Sequence, residues 1–115
     1  MPQYHRLYTD LDLAVVWFRG CISGEDVRKM LGLVYRDPGW RPGYATLWDA
    51  REIRELDVSP RDVDAVAMEA DRLWNTRGQG KVAIVVNRDL DQHVFALFLL
   101  FRYLNPDSYH PIWGG

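Results

Sequence analysis

Apolar residues recur along this chain with two different periods, and the period changes at recognisable turn signals. Residues 4–8 and 11–20 are β-rich runs separated by Thr9-Asp10, which reads as a hairpin. Within the second run, Val15-Val16-Trp17-Phe18 is apolar on both faces, as a central strand requires. Ser23 then caps a helix. Glu25 and Asp26 occupy its first turn, and Val27, Met30, Leu31 and Val34 form an apolar stripe at helical spacing. That helix ends at Arg36-Asp37, because the residue before Pro38 disfavours the α region.

Two Pro/Gly pairs follow in Asp37-Pro38-Gly39-Trp40-Arg41-Pro42-Gly43. Proline fixes φ and glycine permits positive φ, so this piece is turn. Residues 44–49 read as a buried strand that carries Asp49 and Arg51 to its carboxyl end, where α/β folds place ligand sites. Residues 51–57 read as a polar connection. Ser59 is the N-cap of a second helix, with Pro60 at its first position and Asp62 three residues after the cap. Val63, Val66, Ala67, Ala70, Leu73 and Trp74 recur through it at helical spacing. Arg77-Gly78-Gln79-Gly80 breaks the chain before residues 81–86, a β-branched run suited to a strand buried on both faces. A third helix is predicted over 91–104, stopped by Asn105-Pro106, and residues 109–113 are a candidate final strand. The predicted order is ββαβαβα(β). It gives an α/β fold, a mixed sheet packed with helices, in one domain over 1–115.

Composition narrows the function classes more than the fold. At 115 residues, 48% apolar and 26% charged, the chain holds one core and lacks the signature of disorder. Five Trp and six Tyr exceed what such a core needs, so aromatic residues are expected at a pocket or interface. A net charge of -2 carries no basic footprint for nucleic acid. Cys21 is the single cysteine, which excludes an internal disulfide and CxxC-type sites; beside Ile22 it reads as a small packed thiol. The N-terminus lacks a signal-peptide apolar region, and the longest apolar run, residues 94–101, is too short to span a bilayer. No membrane span and a cytoplasmic location are therefore expected. There is no glycine-rich phosphate loop and no GxSxG, and His5, His93 and His110 lie in no ligand spacing, so neither metal nor cofactor is expected.

Several of these pieces occur together in a known order. Asp37-Pro38-x-Trp40-x-Pro42-Gly43 leads into Leu47-Trp48-Asp49-x-Arg51, Ser59 opens a helix, and Gly80-Lys81-Val82-Ala83-Ile84-Val85-Val86 forms the next strand. This set resembles the STAS-like (SpoIIAA-like) superfamily, in its branch of small bacterial stand-alone STAS/SEC14-like proteins, over roughly residues 10–104. The resemblance implies a STAS-like fold and a non-enzymatic regulatory role. Better-understood members are anti-sigma-factor antagonists switched by phosphorylation of a serine at the start of the second helix. Ser59 takes that position, but the Asp-Ser-Ser-Gly type sequence of antagonists is replaced by Asp57-Val58-Ser59-Pro60-Arg61, which weighs against a switch. Relatives also carry one more helix after the last strand. Its lack here implies apolar surface that a partner covers.

The candidate residues have competing readings. Asp49 and Arg51 suit a polar ligand, Arg51 through its planar fork; the favoured alternative makes Asp49 an acceptor of backbone N–H groups. Trp17, Trp48 and Phe98 are candidates to line a cavity, with His93 at the start of the third helix. Ser59 is either a phosphorylation site or an N-cap with Asp62, and the cap accounts for the local sequence. The third helix carries the most weight, because residues 94–101 are apolar on every side and a surface helix needs a polar face. A second copy of the chain is the favoured cover, through Phe95, Phe98, Leu99, Phe101 and Tyr103. Three functions follow in order. The first is a regulatory or protein-interaction module, homodimeric through that helix. The second is a binder of a small apolar ligand or lipid, and the last an enzyme using Asp49, Arg51 and His93.

Overall fold

Strand β1 (Gln3–Tyr8) runs antiparallel to β2 (Leu13–Ser23), joined by a 3-10 turn at Thr9–Leu11. Asp12 closes that turn in the left-handed region, φ 51°, a conformation that Asp tolerates better than most residues. The computed structural model describes residues 3–87 and 110–114. After the hairpin come α1 (Gly24–Tyr35), β3 (Ala45–Asp57), α2 (Pro60–Arg72), the single-turn α3 (Trp74–Arg77), β4 (Val82–Asn87) and β5 (His110–Gly114). The strands form one sheet in the order β1-β2-β3-β4-β5, with β1 antiparallel to β2 and every later pair parallel. The fold is α/β with a mixed sheet, as expected. The predicted helix over 91–104 lies outside the described residues.

Residues 51–57 depart from the expectation. They are not a connection but the second half of β3, paired with Arg19 to Ser23 of β2. Two register shifts, at Trp17/Arg19 and Gly20/Cys21, break the alternation of this pairing. The buried positions Ile53 and Leu56 are consequently three apart, a spacing that no regular strand pattern gives. Neither β1 nor β4 flanks this half: β1 pairs only as far as Phe18, and β4 only as far as Asp49. Among the described residues a two-stranded ribbon thus projects beyond the sheet, and its charged Glu52, Arg54, Glu55 and Asp57 are exposed. Cys21 sits on it, exposed, with its Sγ 3.6 Å from Glu55 Oε2. The packed-thiol expectation was wrong by one position, since the neighbouring Ile22 is the buried one.

The core lies between one sheet face and helices α1 and α2. Ala14, Val16 and Phe18 of β2, Trp48 and Ala50 of β3, and Ile84 and Val86 of β4 supply the sheet side. Val27, Met30, Leu31 and Val34 of α1 are all buried, so the sequence stripe is the core stripe. Val66 and Ala70 of α2 and Leu73 just after it do the same, whereas Trp74 is exposed at the start of α3. Burial of each large aliphatic side chain contributes about 1.5–3 kcal/mol before entropy is counted.

The Pro/Gly stretch is two successive β-turns. Trp40 N–H donates to Asp37 O at 2.9 Å and Tyr44 N–H to Arg41 O at 3.2 Å. Gly43, φ 96°, supplies the positive φ that the second turn needs after Pro42. These turns dock on α3 and the loop after it. Gly43 N–H donates to Arg77 O, Trp40 Nε1 donates to Thr76 O at 2.9 Å, and Gly80 lies directly against the carbonyls of Gly43 and Tyr44. Arg77 is buried there, donating through Nη2 to Gly80 O and lying over the Trp74 ring at 5.0 Å. Next to it the Tyr35 phenol, at 3.5 Å from Thr46 Oγ1, is pushed above its ordinary pKa by burial and stays neutral.

Candidate functional site

Asp49 ends the part of β3 that pairs with β4, but it is not at the carboxyl end of the strand as expected, because β3 continues to Asp57 beside β2. Its carboxylate is committed to its own neighbour. It accepts from the Arg51 backbone N–H at 3.1 Å, from Arg51 Nε at 3.0 Å and from Arg51 Nη2 at 2.8 Å. Burial alone would raise its pKa, but these bonds and the guanidinium charge together hold it below the usual carboxylate range. Asp49 in turn raises Arg51. The register shift explains the arrangement: Arg51 falls between the paired residues Asp49 and Glu52, where ladder bonding lapses and a side chain takes over.

Trp17 and Trp48 do not line one cavity. Trp48 is aligned with Val16 in the parallel pairing, is fully buried, and stacks on Phe18 at 5.6 Å on the helix-covered face. Trp17 is aligned with Asp49 and belongs to the opposite face, where it stacks on Tyr4 at 4.8 Å beneath Arg19. Strand alternation separates neighbours in sequence by the thickness of the sheet, which the proposed shared cleft overlooked. Trp17, Asp49 and Arg51 are brought together on that far face; Trp48 is not. Ser59 caps α2: its Oγ accepts from Asp62 N–H at 3.1 Å, and Asp62 Oδ2 accepts from Ser59 N–H at 2.8 Å. Ser23 and Asp26 repeat the same box on α1. His93, Phe95, Phe98, Leu99, Phe101 and Tyr103 lie outside the described residues. Among the described residues no cluster of His, Cys, Asp or Glu suits a metal ion, and no helix is long and apolar enough to cross a membrane.

A groove of about 630 Å³ runs along the outer side of α1, and the sequence reading missed it. It is lined by Lys29, Gly32, Leu33 and Arg36 with Pro38, and by His5 and Asp37. Arg28 and Glu69 are shared with a smaller hollow of about 270 Å³ between α1 and α2. The acids of the groove are already engaged. Asp37 accepts from Gly39 N–H at 2.8 Å and pairs with His5 Nε2 at 2.9 Å, and these bonds hold its carboxyl below the ordinary range. Buried Glu69 is shared by Arg36 at 3.2 Å and Arg72 at 3.4 Å. Lys29 forms no ion pair among the described residues, and Leu33 is 53% exposed. The signal was present in the chain: Arg28, Lys29, Gly32, Leu33 and Arg36 recur at i, i+1, i+4, i+5 and i+8, a second stripe beside the core one.

Comparison of the sequence with protein-family models and with curated proteins gives no match.

Proposed function

We propose that this chain is a non-catalytic recognition module of the STAS-like kind, acting as a homodimer. One observation carries the reading: the polar residues best placed for chemistry are spent on the fold, whereas the outer face of α1 is not. Asp49 and Arg51 bind each other across a break in the ladder, and Ser59 caps a helix. A nucleophile or general base needs a free, positioned group, whereas the Asp49 carboxylate is held by its own neighbour and the Ser59 hydroxyl by its own helix. The strand order, with an antiparallel first strand followed by parallel ones, supports the STAS-like assignment. The apolar run at residues 94–101 supports the dimer, since a single domain of this size has little interior left for a helix without a polar face.

Light scattering coupled to size exclusion tests the assembly on wild type and Phe98→Asp. The expected result is a dimer whose mass falls to that of the monomer in the variant. A wild-type protein that stays monomeric across the accessible concentration range overturns the homodimer.

A further inference from the structure

We infer that the groove on α1 binds a small amphiphilic anion, a carboxylate or phosphate head on an apolar body. The inference rests on the recognition reading only in taking the module to be a binder; it uses no residue of the proposed dimer contact. At about 630 Å³ the groove has the capacity of small-molecule sites. Its lining combines the apolar Leu33 and Pro38 and the small Gly32 with the basic Arg28, Lys29 and Arg36.

The sign of the charge follows from which groups are already partnered. Glu69 is buried beneath two guanidinium groups, and Asp37 is held by His5 and a backbone N–H. Glu69 is thus buried with both oxygens engaged, and each oxygen of the half-buried Asp37 accepts one bond. Arg28 is locked to Glu25 at the far end through Nε and Nη2. Unshared donors are left on the Lys29 ammonium, which forms no ion pair among the described residues, and on Arg36, which meets Glu69 through Nη2 alone. Arg36 lies back across Gly32, with Nη1 2.6 Å from where a Cβ would stand. An anionic head placed between Lys29 and Arg36 gains charge-assisted hydrogen bonds, and its apolar body then covers Leu33 and Pro38. A cation of the same shape meets like charge, and an inorganic anion leaves Leu33 in water.

Two-dimensional NMR of the ¹⁵N-labelled chain tests this with four probes kept below micelle formation: octanoate, octyl phosphate, inorganic phosphate and octyltrimethylammonium. Octanoate and octyl phosphate are expected to shift the amides of Lys29, Gly32, Leu33 and Arg36 saturably, and the tighter of the two identifies the head group. Inorganic phosphate should need at least about tenfold more to produce the same shifts, and octyltrimethylammonium should leave them in place. Lys29→Glu and Leu33→Asp, both at exposed positions, should each weaken octanoate about tenfold with melting temperature and oligomeric state unchanged. The inference is overturned if no saturable shift appears in the groove, as an acidic protein segment as the true occupant would also give. It is equally overturned if the cationic probe binds as well as octanoate, or if both variants bind like wild type. Light scattering on the same samples reads the dimer separately, so either idea can fail alone.

Discussion

Replacing Asp49 separates the structural reading of the Asp49–Arg51 pair in β3 from a ligand-binding one. Asp49→Ala removes the acceptor of three hydrogen bonds, all from Arg51. The bond from the Arg51 backbone N–H matters most, because it lies in the register shift of β3 and a hydrogen bond to a charged acceptor contributes about 1.5–3 kcal/mol. The guanidinium contacts come from a side chain that is half exposed, so solvent screening limits them to roughly 0.5 kcal/mol. The expected loss is about 2–3 kcal/mol, or roughly 8–12 °C in Tm for a domain of this length. Asp49→Asn keeps an acceptor for the backbone and should lose about 1 kcal/mol; Arg51→Ala keeps the backbone N–H and should lose less than about 0.5 kcal/mol. The pH dependence has a definite sign. The Asp49 pKa is lowered on folding, so its contribution is complete above the unfolded-state pKa and disappears as pH falls through the folded value. The gap between wild type and Asp49→Asn should therefore be constant from pH 7 to about 5 and close below about pH 4. Thermal melts across that range measure it. An Asp49→Ala protein that melts with wild type refutes the structural role and returns the carboxylate to a ligand.

The remaining predictions concern the second helix and the docked loops. Ser59→Ala should cost about 1 kcal/mol in urea unfolding, whereas Ser59→Asp, which can still cap, should stay within about 0.5 kcal/mol; an unaffected Ser59→Ala would reopen a signalling role. Gly80→Ala places a methyl group against the carbonyl oxygens of Gly43 and Tyr44, so guanidinium unfolding should show a loss of about 3 kcal/mol or more. A Gly80→Ala midpoint equal to wild type would mean that the two loops are not locked together.

Local signals carried the fold far. Both capping boxes, the two Pro/Gly turns, the core stripe of α1 and the β-branched run of β4 depend on residues within a few positions of each other, and all appear where the sequence put them. What the sequence concealed depends on partners distant along the chain. The second half of β3 looked like a connection because pairing on one edge leaves it charged and two register shifts scramble its period. Trp17 and Trp48 looked like one cavity because a list of aromatics does not record which sheet face each occupies. The groove was hidden for a related reason. His5 and Glu69, which help line it, come from β1 and α2, and only packing brings them to α1.

Gly32 provides the sharpest test of whether that groove is more than a solvated face. A helix that only had to cover the sheet would carry Ala there, since Gly costs about 1 kcal/mol in a helix interior. Backbone conformation does not require glycine, because Gly32 lies within α1 and is not among the positive-φ residues. Packing does not require it either: the atoms that an added Cβ would meet within 4 Å are Nη1 and Cζ of Arg36, the end of a flexible side chain. Gly32→Ala should thus gain about 1 kcal/mol of helix propensity and give back about 0.5 kcal/mol as the guanidinium swings away from Glu69. The net expectation is a protein about 0.5 kcal/mol more stable, with a smaller groove and a displaced Arg36, that binds octanoate several-fold more weakly. Unfolding midpoints and the NMR titration read the two quantities independently. Stability and binding moving in opposite directions is the outcome that a purely structural glycine does not produce. A variant that is less stable than wild type shows instead that the fold itself needs Gly32.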